Sequence, residues 1–360
     1  MYHSSTPEIL RTKLDTVFLQ LKSLGVSNLA KFDFLDTPSE ESIIRSLELL
    51  FSLHVIDMNG ELTEEIGVFL SDLPVETRLA VMLLNSFKEE FACSEEILIL
   101  VSLLSSGFVF FANTSPLTIL KTKKKFGAKE GDLITLINLF LRYKHIGSRN
   151  EKKKFCAENN INESILLSSK KIADQLEKFL KSKKFTVKSA EDDVEAILRC
   201  ITSAFFANVA QRQKSGVYKA IRNQEVLYLH PTSILTTMYP EWIVFYEIIK
   251  TGKFYMRECV EIDYRWLVEL APHFYQDNKT KNLEERHRKE VINNENMEKI
   301  DQVKNIEGDL EKWSEEKPRF NKILDSLKEN LDQGKIFKKP KEKKEGEKNK
   351  NMLSFDYEEM

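Results

Sequence analysis

Glycine and proline are scarce, 12 and 9 in a chain of 360 residues. That excludes collagen-like and Gly/Pro-rich disordered classes. Cysteine is scarcer still, with four residues, Cys93, Cys156, Cys200 and Cys259. No two of them stand at metal-ligand spacing, and so few in a long chain do not make a disulfide scaffold. They read as reduced, mostly buried thiols, which fits a reducing compartment. A surplus of positive charge is also missing: 54 Lys and Arg meet 56 Asp and Glu, a net charge of −2. Nucleic-acid binding would therefore need local basic patches. The opening MYHSSTPEILRTKL lacks a basic stretch followed by an apolar one, so it is not a signal peptide. The most apolar run, Ile97–Ala112, is broken by Ser102, Ser105, Ser106 and Gly107 and is too short to span a bilayer. The expectation is a soluble, intracellular protein with no membrane partner.

The chain is 42% hydrophobic and 31% charged, enough for two or three domains. Apolar residues at Leu10, Leu14, Val17, Phe18, Leu21 and Leu24 have helical spacing, with Pro7 placed to open the helix. Thr37-Pro38-Ser39-Glu40 predicts a second helix, with Thr37 as its N-cap and Glu40 reaching back to it. That helix would bury Ile43, Ile44, Leu47, Leu50, Phe51 and Val55, and its polar face holds Glu40, Glu41, Arg45 and Glu48. A mostly acidic face repels phosphate and argues against DNA reading. Asn59-Gly60 between short apolar runs then predicts a small β-hairpin. Two helices followed by a hairpin give a winged helix over 1–75.

Residues 76–188 read as a helical bundle. Ser94 is expected to cap the apolar helix that starts at Ile97, and Asp132–Tyr143 and Glu163–Leu180 follow with helical periodicity. Over 189–276 the pattern changes. A helix from Ile197 leads into strand-like runs at Val226–His230, Trp242–Tyr246 and Tyr255–Ile262, which suggest a small β-barrel. The overall class is α+β. Residues 277–360 are Glu/Lys/Asn-rich with few apolar anchors and read as a charged, largely disordered or loosely helical tail. The run from Lys338 to Lys344 within it suits a nuclear-import signal, a weak RNA tether or a solvated tail.

The local strings go further. PEILRTKL at Pro7–Leu14, LQLKSLGV at Leu19–Val26, FDFLDTP at Phe32–Pro38 and LTEEIG at Leu62–Gly67 resemble the winged-helix region of DEAH-box RNA helicases, of the pre-mRNA-splicing type. Glu130-Gly131-Asp132 followed by LITLI resembles that family's helicase-associated, or ratchet, bundle. FFANVA from Phe205, LHPTSIL from Leu229, EWIVFYEII from Glu241 and the stretch Tyr255–Pro272 resemble its OB-fold. The family usually has His after EGD, where Leu133 stands here, and its Arg-containing string before a late bundle helix is replaced by Ile165–Leu176. The resemblance implies binding of single-stranded RNA, of G-patch-type activators or spliceosomal proteins, and a nuclear location.

No G-x-x-x-x-G-K-[ST] string, no DEAH string and no arginine-finger string occurs in the 360 residues. The chain alone is therefore not expected to turn over ATP, and no cofactor is expected; ATP and Mg²⁺ would enter only with a motor supplied elsewhere, on a separate chain. No catalytic or metal constellation stands out. The alternative is a motor-less adaptor that binds G-patch-type proteins without RNA.

Two groups are candidate RNA contacts. Lys121, Lys123, Lys124 and Lys125 form a basic run before Phe126 that could neutralise phosphates or simply be a solvated loop. Lys253, Tyr255 and Arg257 alternate along one predicted strand, so one face would carry two cations around an aromatic, suited to phosphate neutralisation plus base stacking. The other possibility is barrel packing for Tyr255 and a surface ion pair for the charges. His230 reads as a strand-end histidine satisfied locally, and Trp242 and Trp266 as barrel core.

Overall fold

A computed structural model describes residues 7–275, apart from 11, 12, 27, 30 and 31. The expectations for the tail, including the Lys338–Lys344 run, lie outside the described residues. The chain opens with a 3-10 turn at Glu8–Leu10, then α1 (Leu14–Ser23) and α2 (Glu40–Ser52). The first helix therefore starts later than its periodicity implies. In α2 the cap is Ser39, not Thr37: the Ser39 hydroxyl accepts the Ser42 N–H at 3.3 Å. The wing is reduced to a single antiparallel bridge, Ile56 with Leu62, and Gly60 turns it at φ +75°. Asp57 Oδ1 accepts the N–H groups of Asn59 and Glu61, both at 2.9 Å, and closes that turn.

Seven helices follow: α3 (Gly67–Ser71), α4 (Thr77–Asn85), α5 (Ser94–Ser106), α6 (Pro116–Phe126), α7 (Asp132–Lys144), α8 (Arg149–Glu158) and α9 (Glu163–Ser182). Ser94 does not cap α5. Its hydroxyl instead accepts the Lys188 N–H at 2.8 Å, pinning the segment after α9 to the start of α5. Glu96 reinforces the same seam by accepting Ser189 Oγ at 2.5 Å and the Ala190 N–H at 3.1 Å. Among the described residues no helix is long and apolar enough to cross a membrane.

After α10 (Val194–Phe205) five strands form a closed barrel, β1 (Val209–Arg212), β2 (Tyr218–Ala220), β3 (Val226–Leu229), β4 (Trp242–Thr251) and β5 (Lys253–Glu261), ordered β1-β2-β3-β5-β4. The β3–β5 pair is parallel, and the other neighbours are antiparallel. The short helix α11 (Tyr264–Leu270) closes the described chain. Met256 and Cys259 both face the barrel core although they stand three residues apart. The alternation of β5 breaks between them at Glu258, whose φ is +52°.

One hydrophobic core runs from Leu14 and Phe18 through Leu83 and Leu100 to Phe205, Val244 and Tyr275. The barrel has a smaller interior of its own around Leu227, Phe245 and Met256. All four cysteines are free and buried. The acidic face of α2 is partly covered from the barrel: Arg222 reaches Glu48 at 3.2 Å.

Glu76 is the polar knot of the shared core. It accepts Lys13 Nζ at 2.7 Å, Arg78 Nη2 at 3.0 Å and Tyr246 OH at 3.2 Å, joining the first segment, the bundle and the barrel. Burial alone would raise its pKa, but Arg78 and Lys13 outweigh burial and hold the carboxyl below its ordinary value. A depressed carboxylate contributes stability that is present above the unfolded pKa and lost as pH falls through the folded one. Glu76→Gln is expected to lower stability by about 1–3 kcal/mol at neutral pH. The gap from the parent chain closes as pH drops below 4.5, the ordinary glutamate value. Urea unfolding of both chains between pH 7 and pH 3 measures this; a gap independent of pH would show that the carboxylate charge is not what matters.

Candidate nucleic-acid interface

The two predicted groups meet different fates. The lysine run is not a loop but the last turns of α6. Lys121, Lys124 and Lys125 are exposed, whereas Lys123 is 0% exposed. Lys123 Nζ donates to Asp132 Oδ1 and Glu258 Oε2, each at 3.0 Å. This corrects its place among solvent-facing phosphate contacts: an interior ammonium held by two carboxylates cannot meet a polyanion. The reason is the helical period, since Ile119, Thr122, Lys123 and Phe126 share the inward stripe of α6.

Asp132, from the EGD string, is the centre of this junction. Beyond Lys123 it accepts Ser233 Oγ at 2.5 Å, the Ile234 N–H at 3.1 Å and the Cys259 N–H at 3.2 Å. Bundle and barrel are thus joined by one carboxylate with four donors. Burial pulls the Lys123 pKa down, but Asp132 and Glu258 more than compensate and leave it raised. With one cation between two carboxylates, Glu258 takes the cost: burial and the neighbouring Asp132 push it up against the pull of Lys123.

The strand group is split. Lys253 and Tyr255 stay together, and β3 adds Tyr228, which neither composition nor spacing had singled out. Lys253 Nζ lies 4.5 Å from the Tyr228 ring centroid, and the Tyr228 and Tyr255 rings are 6.1 Å apart. Their adjacency follows from the parallel register of Tyr228 with Tyr255. At the hairpin tip Lys250 Nζ lies 5.3 Å from the Phe254 ring. Tyr228 and Tyr255 line an open groove of about 530 Å³ with Arg212, Tyr218, Leu227 and Tyr239. The signal for Tyr228 was present in the strand Val226–Leu229, but only the strand pairing shows which tyrosine it faces.

Arg257 turns elsewhere. Its guanidinium pairs with Glu247 and lies 4.7 Å from the Phe108 ring, in a second cavity of about 120 Å³ against the bundle. The ion pair expected as the plain alternative is present, and Arg257 does not line the tyrosine groove. His230 is satisfied locally: its Nδ1 is 2.7 Å from Thr232 Oγ1 and takes the Thr232 N–H at 3.3 Å. Burial, with Arg257 and Lys123 nearby, lowers its pKa. Trp242 is buried against Tyr264, and Trp266 packs on the shared core. No group of three or more metal-ligating side chains occurs among the described residues.

Comparison with known proteins agrees with this architecture. Residues 197–275 match the model for the oligonucleotide/oligosaccharide-binding (OB)-fold, and residues 76–136 that for the helicase associated domain (HA2), ratchet-like. The human protein named probable ATP-dependent RNA helicase DHX35 is 37% identical over 276 residues, 76% of this chain and 38% of its own length. Its counterpart from Pongo abelii gives the same figures. The Arabidopsis thaliana pre-mRNA-splicing factor ATP-dependent RNA helicase DEAH10 is 36% identical over 287 residues, 76% of this chain and 40% of its own. The chain thus spans about two fifths of the length of these relatives. Over its bundle and barrel it is homologous to the C-terminal helicase-associated and OB-fold region of the DEAH-box RNA helicases.

Proposed function

We propose that the chain serves as the C-terminal accessory region of a DEAH-box RNA helicase and binds single-stranded RNA along the tyrosine groove of its barrel. The observation that carries this reading is Lys253 over Tyr228 with Tyr255 beside it, on an open groove. Aromatic faces take unstacked bases, and the adjacent ammonium neutralises the backbone, which is how sequence-tolerant single-strand sites work. Arg212 at the rim and Lys250 at the hairpin tip extend the positive edge. Lys121, Lys124 and Lys125 are exposed as well, but they stand on α6 of the bundle and do not line this groove.

Spliceosomal or G-patch-type protein activators are the proposed protein partners. Leu24, Leu35 and Val68 in the first segment are exposed apolar side chains that such a partner could contact. The plant relative's name as a pre-mRNA-splicing factor supports a nuclear location. ATP turnover, and RNA movement driven by it, belong in this reading to a motor outside the 360 residues.

Binding of fluorescent single-stranded RNA, followed by anisotropy, tests the groove. Micromolar, salt-sensitive affinity is expected, with no RNA-stimulated ATP turnover. Tyr255→Ala is expected to weaken binding by about 1–3 kcal/mol, roughly five- to 150-fold. Lys253→Gln is expected to lower the salt slope by about 0.7, the value for one single-strand phosphate contact. If both variants bind as the parent does, the groove is not the site.

A further inference from the structure

A second surface has chemistry that the tyrosine groove does not. Residues 121–158 hold eleven Lys and Arg against four Asp and Glu, in a chain whose net charge is −2. The fold gathers the two densest parts of that stretch. The last turn of α6 abuts the last turn of α8: Phe126 and Phe155 pack with ring centroids 5.6 Å apart, and Lys125 Nζ donates to Asn159 Oδ1 at 2.9 Å. From there the row of cations runs back along α8, about 15 Å for a ten-residue helix. Lys121, Lys124, Arg149 and Lys153 are exposed and have no carboxylate partner among the described residues. Lys154 has only a long contact, 3.9 Å, to Glu158.

These charges do little for the helix that bears them. Arg149 opens α8, where the helix dipole disfavours a cation, and no basic residue stands in its last turn. The surface also lacks a stacking platform. Phe126 and Phe155 are turned onto each other, and Tyr143 is buried with Lys152 Nζ 4.9 Å from its ring. Cations without exposed aromatics can hold phosphates but cannot grip bases.

We infer that the α6–α8 face of the bundle is a second nucleic-acid surface, one that holds the phosphate backbone of double-stranded RNA without reading its bases. A duplex carries more phosphates per unit length than a single strand, so a row of cations gains more from it. The inference rests on the RNA-binding reading above, but it uses different residues and a different ligand form. The full chain would then hold a single-strand stretch on the barrel and a paired stretch on the bundle.

The test uses the full chain with Lys124→Gln, Arg149→Gln and Lys153→Gln combined, and thermal melting confirms that the variant is folded. Binding of a blunt RNA duplex is followed as salt is varied. The expected result is a duplex salt slope lower by about 3, close to 0.9 for each of three contacts, with single-strand affinity within twofold of the parent. Tyr255→Ala gives the converse pattern, weakening the single strand and sparing the duplex. An unchanged duplex slope overturns the inference while leaving the groove untouched. Polyglutamate displacing the duplex at equal charge concentration also overturns it, since the surface would then be one for acidic protein segments.

Discussion

Lys123→Ala is expected to cost the folded chain about 3–5 kcal/mol, the usual loss when one partner of a buried ion pair is removed. The substitution leaves Glu258 buried at 5% exposure without its cation, and it opens a void beneath α6. Asp132 suffers less, because Ser233 and two backbone N–H groups still face it. That asymmetry gives a second expectation. Pairing Lys123→Met with Glu258→Met recovers much of the loss, because replacing both charges by apolar groups of similar size is close to neutral. The backbone strain at Glu258, with φ at +52°, is the same for either side chain and cancels from the comparison. Urea unfolding of the parent, both single variants and the double variant yields the coupling, on the order of 1–3 kcal/mol. A cost near that of a surface lysine, within about 0.5 kcal/mol, would refute the interior position of the ammonium.

Gly131→Ala produces a loss of comparable size by another route. A Cβ at this position would lie 2.4 Å from the Cys259 carbonyl oxygen and 2.8 Å from Val260 Cα. Both are backbone atoms of β5, so no side chain can rotate aside. With φ at +133° the residue also sits in a region essentially reserved for glycine, a strain of about 1–3 kcal/mol before any clash. The added methyl must push the bundle off the barrel and break the Glu261 N–H bond to the Glu130 carbonyl, 2.8 Å long. The expected total is about 3 kcal/mol or more, with faster amide exchange at Cys259 and Glu261. Gly60→Ala is the control. It has φ +75° and nothing within 4 Å of the added carbon, so only the left-handed backbone cost of about 1–2 kcal/mol applies. Equal losses at the two glycines would mean that the close approach of α7 to β5 does not govern stability.

These two positions show what a sequence reader can and cannot see. The long helices α7 and α9 follow from the helical spacing of their apolar residues, and β3, β4 and β5 from their aromatic and β-branched runs. Gly131 and Asp132 stand out as a string, yet the reason for the glycine lies on a strand more than a hundred residues later. The run of lysines from 121 to 125 reads as uniform surface charge, since composition is blind to direction. The period through Ile119, Thr122, Lys123 and Phe126 carried the information that Lys123 points inward. It pointed to burial but not to the two carboxylates that make burial tolerable. The candidate site shows the same limit. Alternation placed Lys253 and Tyr255 together, but Arg257, one step further along β5, is drawn to Glu247 and Phe108 and does not join the groove. Nothing local announces that Tyr228 lies under the Lys253 ammonium; the parallel β3–β5 pairing alone brings them together.

The shared core has a consequence for how the chain can be made. The Ser52 carbonyl receives its bond from His273 Nε2 at 2.8 Å, and Tyr275 OH donates to the Phe206 carbonyl. On a ribosome the earliest helices therefore emerge some two hundred residues before the groups that complete their packing. At about 5–20 residues per second that is a wait of roughly 10–40 s. During that interval the apolar flank of α2 and the partner-seeking carboxylate of Glu76 are open to other chains. A nascent polypeptide stalled before residue 246 lacks both the tyrosine that ligates Glu76 and the strand that seats Lys123. Such fragments are expected to engage chaperones strongly, and synthesis that reaches Tyr275 releases them.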